Sequence, residues 1–272
     1  SKGNHGNIII RYIRSRPGGT LKTGLYGFDM ENCHDVIVDH CSFSWANEEC
    51  AAMYDTKNTT VQWCIVSEGL YEAGHQKRHR SYGGVWGGQY ASYHHNLLSH
   101  LNSRAVRFNG ARAHDTVALI DYRNNVIYNW VHRSIDGGDY RAQFNIINNY
   151  FKPGPATPKT AIAYRILKPE SGRSKLKEKY YGRAYVNGNI VEGYPAVTKD
   201  NWKGGVQVEG ENDKVEIDTS MKWPKPLPMA PITILSAEQA KTYVLANAGA
   251  TLPKRDAVDA RIVKQVTTGK VE

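Results

Sequence analysis

The segment Tyr93-His94-His95-Asn96-Leu97-Leu98 is one of several short β-rich runs that carry a polar residue at the same place. The pattern returns as Asp121-Tyr122-Arg123-Asn124-Asn125-Val126-Ile127 and as Asn145-Ile146-Ile147-Asn148-Asn149-Tyr150-Phe151. Fixed strands joined by loops of variable length produce a loose period of this kind. The spacings are 23, 32, 29, 24 and 40 residues when the runs are aligned on Cys41, Cys64, Asn96, Asn125, Asn149 and Asn189.

The runs are strand-length and rich in Val, Ile and Tyr, and no helical stretches alternate with them, which argues against a doubly wound sheet. Most connections are longer than a tight hairpin, which argues against an antiparallel sandwich. We therefore predict an all-β fold, a right-handed parallel β-helix. Asparagines stacked at one bend of each coil would hydrogen-bond along the stack and satisfy the buried turn.

The sequence predicts one β-helix domain over residues 1–272, with residues 220–272 as a C-terminal extension packed on the solenoid. Within the extension, Ser236 suits an N-cap and the residues up to Leu245 have helical spacing. Residues 168–181 are charged and are expected to form a solvent loop. A strand begins by Asn7, and terminal coils of solenoids need caps, so an upstream segment or another part of the chain is expected to cover this end.

The formal net charge of +9 and the pI near 9.2 fit nucleic acid, an anionic membrane or an acidic polysaccharide as partner, or simply a basic soluble protein. The sequence contains no nucleic-acid recognition motif, and its apolar runs are far shorter than the ~20 residues of a membrane span. None of the four cysteines forms a CxxC pair, which argues against a zinc ribbon. Stacked buried thiols at Cys41 and Cys64 are the preferred interpretation, and a disulfide is left open.

Acidic and then basic residues follow one another between residues 35 and 107. The carboxylates of Glu48, Glu49 and Asp55 would suit a hard cation, calcium above all, although a solvated acidic loop also explains a Glu-Glu pair. Arginine binds carboxylates in a bidentate fork. A groove with these acids on one side and bases on the other would suit a polyanionic sugar bridged by calcium. The bases are Lys77, Arg104 and Arg107.

The order and spacing of several short motifs resemble the pectate lyases of polysaccharide lyase family 1, over residues 7 to about 193. The family's fold is the right-handed parallel β-helix, in agreement with the repeats. The motifs that carry the resemblance are Val38-Asp39-His40-Cys41-Ser42-Phe43-Ser44-Trp45, His75-x-Lys77, Tyr82-Gly83-Gly84-Val85-Trp86-Gly87-Gly88, His94-His95-Asn96 and Asn102-Ser103-Arg104-x-x-Arg107-Phe108.

The resemblance implies calcium-assisted β-elimination on α-1,4-linked polygalacturonate, with 4,5-unsaturated oligogalacturonides as products. Arg104 matches the arginine base of the family, while Lys77, Arg107 and His75 fall in motifs that bind substrate. Calcium would lie at Glu48, Glu49 and Asp55. An arginine base requires neighbouring positive charge, because guanidinium otherwise stays protonated. A polymeric substrate further implies a secreted or periplasmic protein, and we expect a monomer.

The sequence departs from the family pattern at three positions. Relatives often carry a calcium aspartate thirteen residues before Asp39, and 39 − 13 = 26 is Tyr26. Glu48 stands where Asp is common, and Asn109 where a further arginine is common. The alternatives are a pectin lyase that acts without calcium, a non-catalytic carbohydrate-binding β-helix, and a hydrolase that uses Asp136 and Asp139 as paired carboxyls.

Overall fold

The computed structural model describes residues 2–21, 23–109, 117–138, 141–170, 181–208 and 221–271. Its strands pair in parallel and belong to two hydrogen-bonded sheets, one of twelve and one of seven strands. In the larger sheet, the long strand β3 (Phe28–Asp39) pairs with β5 at its start and with β6 at its end. Since β3 joins two stacks, the described chain has three faces. It is a right-handed parallel β-helix, as predicted.

The first face carries the candidate site. After the start of β3, its strands are β5 (Ala51–Tyr54), β8 (Val85–Trp86), β11 (Val106–Phe108), β14 (Ile135–Gly137) and β17 (Leu167–Pro169). The second face consists of β1 (Lys2–Arg11), the end of β3, β6 (Lys57–Gln62), β9 (Gln89–His94), β12 (Ala118–Arg123), β15 (Ala142–Ile147) and β18 (Arg183–Asn187). The third face consists of β2 (Arg14–Ser15), β4 (Ser42–Ser44), β7 (Ile65–Ser67), β10 (Leu97–Ser99), β13 (Val126–Tyr128), β16 (Tyr150–Lys152) and β19 (Ile190–Val191).

Aligned side chains from successive coils fill the interior. Val61, Tyr93, Tyr122, Ile146 and Val186 face one another in register across the second face, and all are buried. Because apolar and aromatic side chains stack on one another, the interior excludes water and successive coils keep a similar diameter.

The predicted asparagine ladder is present at the corner between the second and third faces. The backbone N–H of Asn96 donates to Oδ1 of Asn125, and that of Asn125 donates to Oδ1 of Asn149, each at 2.9 Å. The ladder continues through Asn189 to Asn201. From Cys41 to Asn189, the residue before each corner position has a positive φ, which turns the corner: His40, Trp63, His95, Asn124, Asn148 and Gly188.

In the first coils, cysteine takes the ladder position. The N–H of Cys41 lies 3.4 Å from Sγ of Cys64, and both thiols are buried and free. The preferred interpretation of stacked thiols is therefore confirmed.

The C-terminal extension crosses the second face and covers the third. Leu227 exchanges two hydrogen bonds with the side chain of Asn145, at 2.9 and 3.0 Å. Helix α2 (Ala237–Asn247) has Ser236 as its N-cap, as predicted, and the side chain of Ser236 forms a capping box with Gln239. The sequence analysis missed α3 (Ala257–Thr268), as well as the short α1 (Pro195–Lys199) and the 3₁₀ turn Ala161–Tyr164.

Helices α2 and α3 pack on the outer side of the third face. Ile262 and Val266 of α3 belong to a buried cluster with Ile65 and Leu97 of the solenoid. Arg16 anchors the start of α3 through Asp256 and Asp259, at 2.7 and 2.9 Å. Of the predicted solvent loop, residues 171–180 lie outside the described residues. None of the helices in the described part of the chain is long and apolar enough to cross a membrane.

Candidate active site on the first face

The candidate site is assembled from three successive coils. Glu49 forms an isolated parallel bridge with Tyr82, and Tyr82 forms one with Ser103. Arg80 lies two residues before Tyr82, and Arg104 directly follows Ser103. This register brings Glu48, Glu49, Arg80 and Arg104 together, and we call these four residues the loop cluster.

Both carboxylate oxygens of Glu48 are occupied. Oε1 pairs with the guanidinium of Arg80, and Oε2 pairs with Nε2 of His75. Nδ1 of His75 accepts the backbone N–H of Lys77 at 2.9 Å, so Nε2 carries the proton and donates it to Glu48. Gly24 closes over this pair, because a Cβ there would lie 2.9 Å from both Glu48 Oε2 and His75 Nε2.

Glu49 lies deeper, with a relative exposure of 1%. Its Oε1 accepts a hydrogen bond from Nη1 of Arg104 at 2.6 Å, and Nη2 of Arg80 lies 3.7 Å from the same oxygen. The other oxygen, Oε2, is buried without a hydrogen-bond partner. Burial raises the pKa of Glu49, although Arg104 and Lys77 act in the opposite direction.

The two arginines share one aromatic ring. The guanidinium carbons of Arg80 and Arg104 each lie 4.4 Å from the centroid of Tyr82. Burial lowers the pKa of Arg80, and the neighbouring charge of Arg104 adds to that effect. The Arg80 side chain is 9% exposed and that of Arg104 is 22% exposed, so Arg104 is the one that reaches toward solvent. Its φ of 49° lies in the left-handed region.

Lys77 and Tyr26 border the loop cluster. Lys77 is exposed and close enough to Glu49 to act on its charge. Tyr26 is partly buried beside Glu49 and Arg80; burial, followed by the charge of Glu49, raises the pKa of its phenol. The position that carries a calcium aspartate in the resembled family therefore holds a protonated phenol.

The structure does not gather the three predicted calcium ligands. Asp55 follows β5, six residues beyond Glu49, which is about 20 Å along an extended strand. It lines a separate cavity with His34 and Lys57. Among the described residues, no group of three or more His, Cys, Asp or Glu side chains is arranged to hold a metal ion.

The structure also changes the roles expected of Arg107 and His75. Nη1 of Arg107 lies 2.6 Å from Glu170 and 3.2 Å from Asp136. Arg133 bridges the same two acids, at 2.9 and 3.0 Å. We call Arg107, Arg133, Asp136 and Glu170 the strand cluster. Arg107 is thus held by protein carboxylates, and His75 is buried against Glu48.

The hydrolase alternative requires Asp136 as one of its two carboxyls. Asp136 is instead fully buried and paired with the two arginines of the strand cluster. Its partner in that alternative, Asp139, lies outside the described residues. Arg80 was not predicted as a site residue. It ends the basic run Lys77-Arg78-His79-Arg80, two residues before Tyr82.

The fold has a counterpart among solved structures. The structure of a thermostable pectate lyase matches 90% of this chain and 62% of its own, with a TM-score of 0.56 and 15% sequence identity. At that identity the likeness concerns the fold, a parallel β-helix.

The chain matches no family model, but it is similar to curated protein sequences. It is 28% identical over 270 residues to a protein described as probable pectate lyase C of Aspergillus flavus, and 29% identical over 270 residues to the one of Emericella nidulans. The alignments cover 98% of this chain but only 57% and 55% of those proteins. The chain therefore spans little more than half the length of these relatives.

Proposed function

We propose that the chain is a polysaccharide lyase of family 1 that cleaves α-1,4-linked polygalacturonate by β-elimination. The observation that carries the proposal is the charge of the first face beside Arg104. Three cations, Arg80, Arg104 and Lys77, stand beside the carboxylates of Glu48 and Glu49, with Asp29 close enough to act on Glu49. The exposed ammonium of Lys77 and the partly exposed guanidinium of Arg104 suit a uronate carboxylate. The likeness to proteins described as probable pectate lyases supports the same substrate class.

In this proposal Arg104 is the base. Its guanidinium is partly exposed and is held in place by Glu49 and Tyr82. The neutral form of this side chain takes the proton from C5 and becomes guanidinium, the electrons of the C5–H bond form the C4–C5 double bond, and the C4–O4 bond breaks with its electron pair on O4. The leaving oxygen takes up a proton, so the product is a 4,5-unsaturated oligogalacturonide. An arginine acts as a base only beside other positive charge, and Arg80 provides that charge.

Lys77 binds the substrate carboxylate in this proposal. The lysine is exposed at the edge of the loop cluster. Removal of the C5 proton moves negative charge onto the sugar carboxylate, and a fixed ammonium stabilises that charge. Because polygalacturonate is a polymer, the reaction takes place outside the cytoplasm.

Calcium is the cofactor that the resemblance implies, and the side chains of the loop cluster do not fit it. Both carboxylate oxygens of Glu48 are paired, one with Arg80 and one with His75, and one oxygen of Glu49 is hydrogen-bonded to Arg104. A calcium ion takes six to eight oxygen ligands. The proposed chemistry therefore rests on the arginines and Lys77.

The test is incubation with polygalacturonate and, in parallel, with highly methyl-esterified pectin, followed by ultraviolet absorbance and reducing ends. We expect unsaturated product from polygalacturonate. Faster cleavage of the esterified polymer would instead identify a pectin lyase. New reducing ends without absorbance would indicate hydrolysis, and binding without product would indicate a carbohydrate-binding solenoid; either result contradicts the proposal.

A further inference from the structure

The carboxylates of the loop cluster already have a cation between them. Arg80 is buried, contacts Oε1 of Glu48 and approaches Oε1 of Glu49 to 3.7 Å. It is held from the side by the Tyr82 ring at 4.4 Å. Arg80 and Arg104 pair with the carboxylates of Glu48 and Glu49, and the charge of Asp29 reaches Glu49 as well. A divalent cation between Glu48 and Glu49 would have to displace a buried arginine.

The neighbouring oxygen donors are committed as well. The Oδ1 atom of Asn47 accepts the N–H of Leu25 at 2.7 Å, and its Nδ2 donates to the carbonyls of Leu21 and Ala73 at 3.3 and 3.2 Å. Asn47 thus ties two loops together. Tyr26 offers a protonated phenol, a weak ligand for a hard cation. Oε2 of Glu49 is buried without a partner, and the carboxylate of Asp29 is near enough to act on Glu49.

We infer that Arg80 is a built-in cation that holds Glu48 and Glu49 together and places positive charge beside Arg104, so that the site neither binds nor needs calcium. The first half concerns metal binding alone, whereas the second half rests on the proposed lyase function. Arg80 is a positioning residue in this account, because it acts through the carboxylates and Arg104. Guanidinium suits the position, since it stays charged when buried and its planar fork matches carboxylates.

The decisive experiment compares wild type with Arg80→Ala in calorimetric titrations with Ca²⁺ and in thermal melts with and without Ca²⁺. We expect no binding to wild type with a dissociation constant below about 1 mM, the weak end of protein calcium sites. In Arg80→Ala, the two carboxylates lose their counter-charge, and Ca²⁺ should bind and raise the melting temperature. Arg78→Ala, an exposed arginine of the same loop, is the matched control and should behave as wild type.

Activity on polygalacturonate supplies the second readout. Wild type should keep its rate when EDTA is added, whereas Arg80→Ala should lose at least about tenfold and regain activity with Ca²⁺. Calcium binding to wild type together with an EDTA-sensitive rate would overturn the inference. Loss of activity in Arg80→Ala that Ca²⁺ does not restore would overturn the counter-charge role.

The wild-type titration decides the first half even if Arg80→Ala does not fold, and Arg80→Lys then tests the charge with a smaller change. If wild type gives no unsaturated product at all, the proposed function fails. The titration would still show whether the chain binds calcium.

Discussion

The loop cluster and the strand cluster lie along the same face and have the same composition, two glutamate or aspartate side chains and two arginines. They differ in how the backbone holds them. In the strand cluster, Arg107 of β11 and Asp136 of β14 are in register on paired strands, and Arg133 and Glu170 stand just outside the named strands. In the loop cluster, Glu48 and Arg80 stand in loops outside the named strands, and Arg104 has a left-handed backbone.

Their immediate neighbours differ too. In the loop cluster Lys77 is exposed, whereas Lys168, in register with Asp136, is 6% exposed. Val106 and Phe108 fill the core, so the strand cluster lies on the outer side of the first face, where its four residues satisfy one another's charges. Beside the loop cluster, Lys77 presents its charge to solvent, where a substrate can reach it. Equal compositions thus serve stability in one place and, we propose, chemistry in the other.

Arg104→Lys breaks the loop cluster with the largest expected effect. Lysine keeps the positive charge, but it lacks the planar guanidinium that contacts both Glu49 and Tyr82. The variant therefore also lacks the proposed base. We expect kcat on polygalacturonate to fall by about 10²- to 10⁴-fold, the usual contribution of a positioned base. The melting temperature should stay close to that of wild type, because Arg104 is partly exposed. Initial rates of ultraviolet absorbance and a thermal melt measure both.

Arg107→Lys is the matched control, since it makes the same change in the strand cluster. Its effect should appear in the melting temperature more than in kcat. Full activity in Arg104→Lys would contradict the assignment of Arg104 as the base. An equal loss of kcat in both variants would contradict the proposed difference in function between the two clusters.

Asp136→Asn tests the strand cluster, where we expect a change in stability and not in activity. Asp136 is fully buried, and its loss leaves Arg107 and Arg133 sharing one acid. Breaking a buried ion cluster by removing one partner costs about 3–5 kcal/mol, so the free energy of unfolding should fall by about that amount. Denaturant titration measures it. Glu238→Gln, which alters an exposed acid on α2, should change stability by less than about 0.5 kcal/mol.

Activity separates the two clusters further. At a temperature where Asp136→Asn is folded, its kcat should stay within a few-fold of wild type. A loss as large as that of Arg104→Lys would place Asp136 in the chemistry and contradict the structural role of the strand cluster.

The sequence predicted the strand-built parts of the molecule well, because register there follows from repetition. A buried amide must hydrogen-bond to a partner on the next coil. The recurring asparagines, and the cysteines at the same place in the first coils, therefore mark the corner in the sequence. The signal for α3 was also present, in the Asp256 cap and in Val258, Ile262 and Val266 at helical spacing. Its charged surroundings after Pro253 concealed it.

The loop cluster was predicted only in part, for a physical reason. The bridges from Glu49 through Tyr82 to Ser103 bring predicted acids and bases of the groove close together. Between β7 and β8, however, the chain leaves the repeat, and periodicity no longer says which side chain turns inward. Nothing in the basic run distinguished buried Arg80 from its exposed neighbours. Asp55 lies apart from Glu49 because six residues of extended chain separate them.

The smallest expected effect concerns His75, the histidine partner of Glu48 in the loop cluster. Burial lowers the pKa of His75 below its ordinary 6.5, and nearby Lys77 adds to the shift. Above that pH, the imidazole is neutral in both folded and unfolded chains, and its contribution to stability is fully present. As the pH falls below 6.5, the unfolded chain takes up the proton first, so stability is lost.

His75→Gln should therefore lose less stability than wild type as the pH falls from about 7 to about 5. The difference in slope is bounded by about 1.4 kcal/mol per pH unit, the limit for one proton. His94 and His95, whose burial lowers the pKa to about 3 and about 4, act in the same direction but are present in both proteins and cancel in the difference. Asp136→Asn should keep the wild-type slope while lowering the whole curve. Denaturant titrations across this pH range measure both, and a steeper acid slope in His75→Gln would mean that the protonated imidazole, paired with Glu48, stabilises the folded chain.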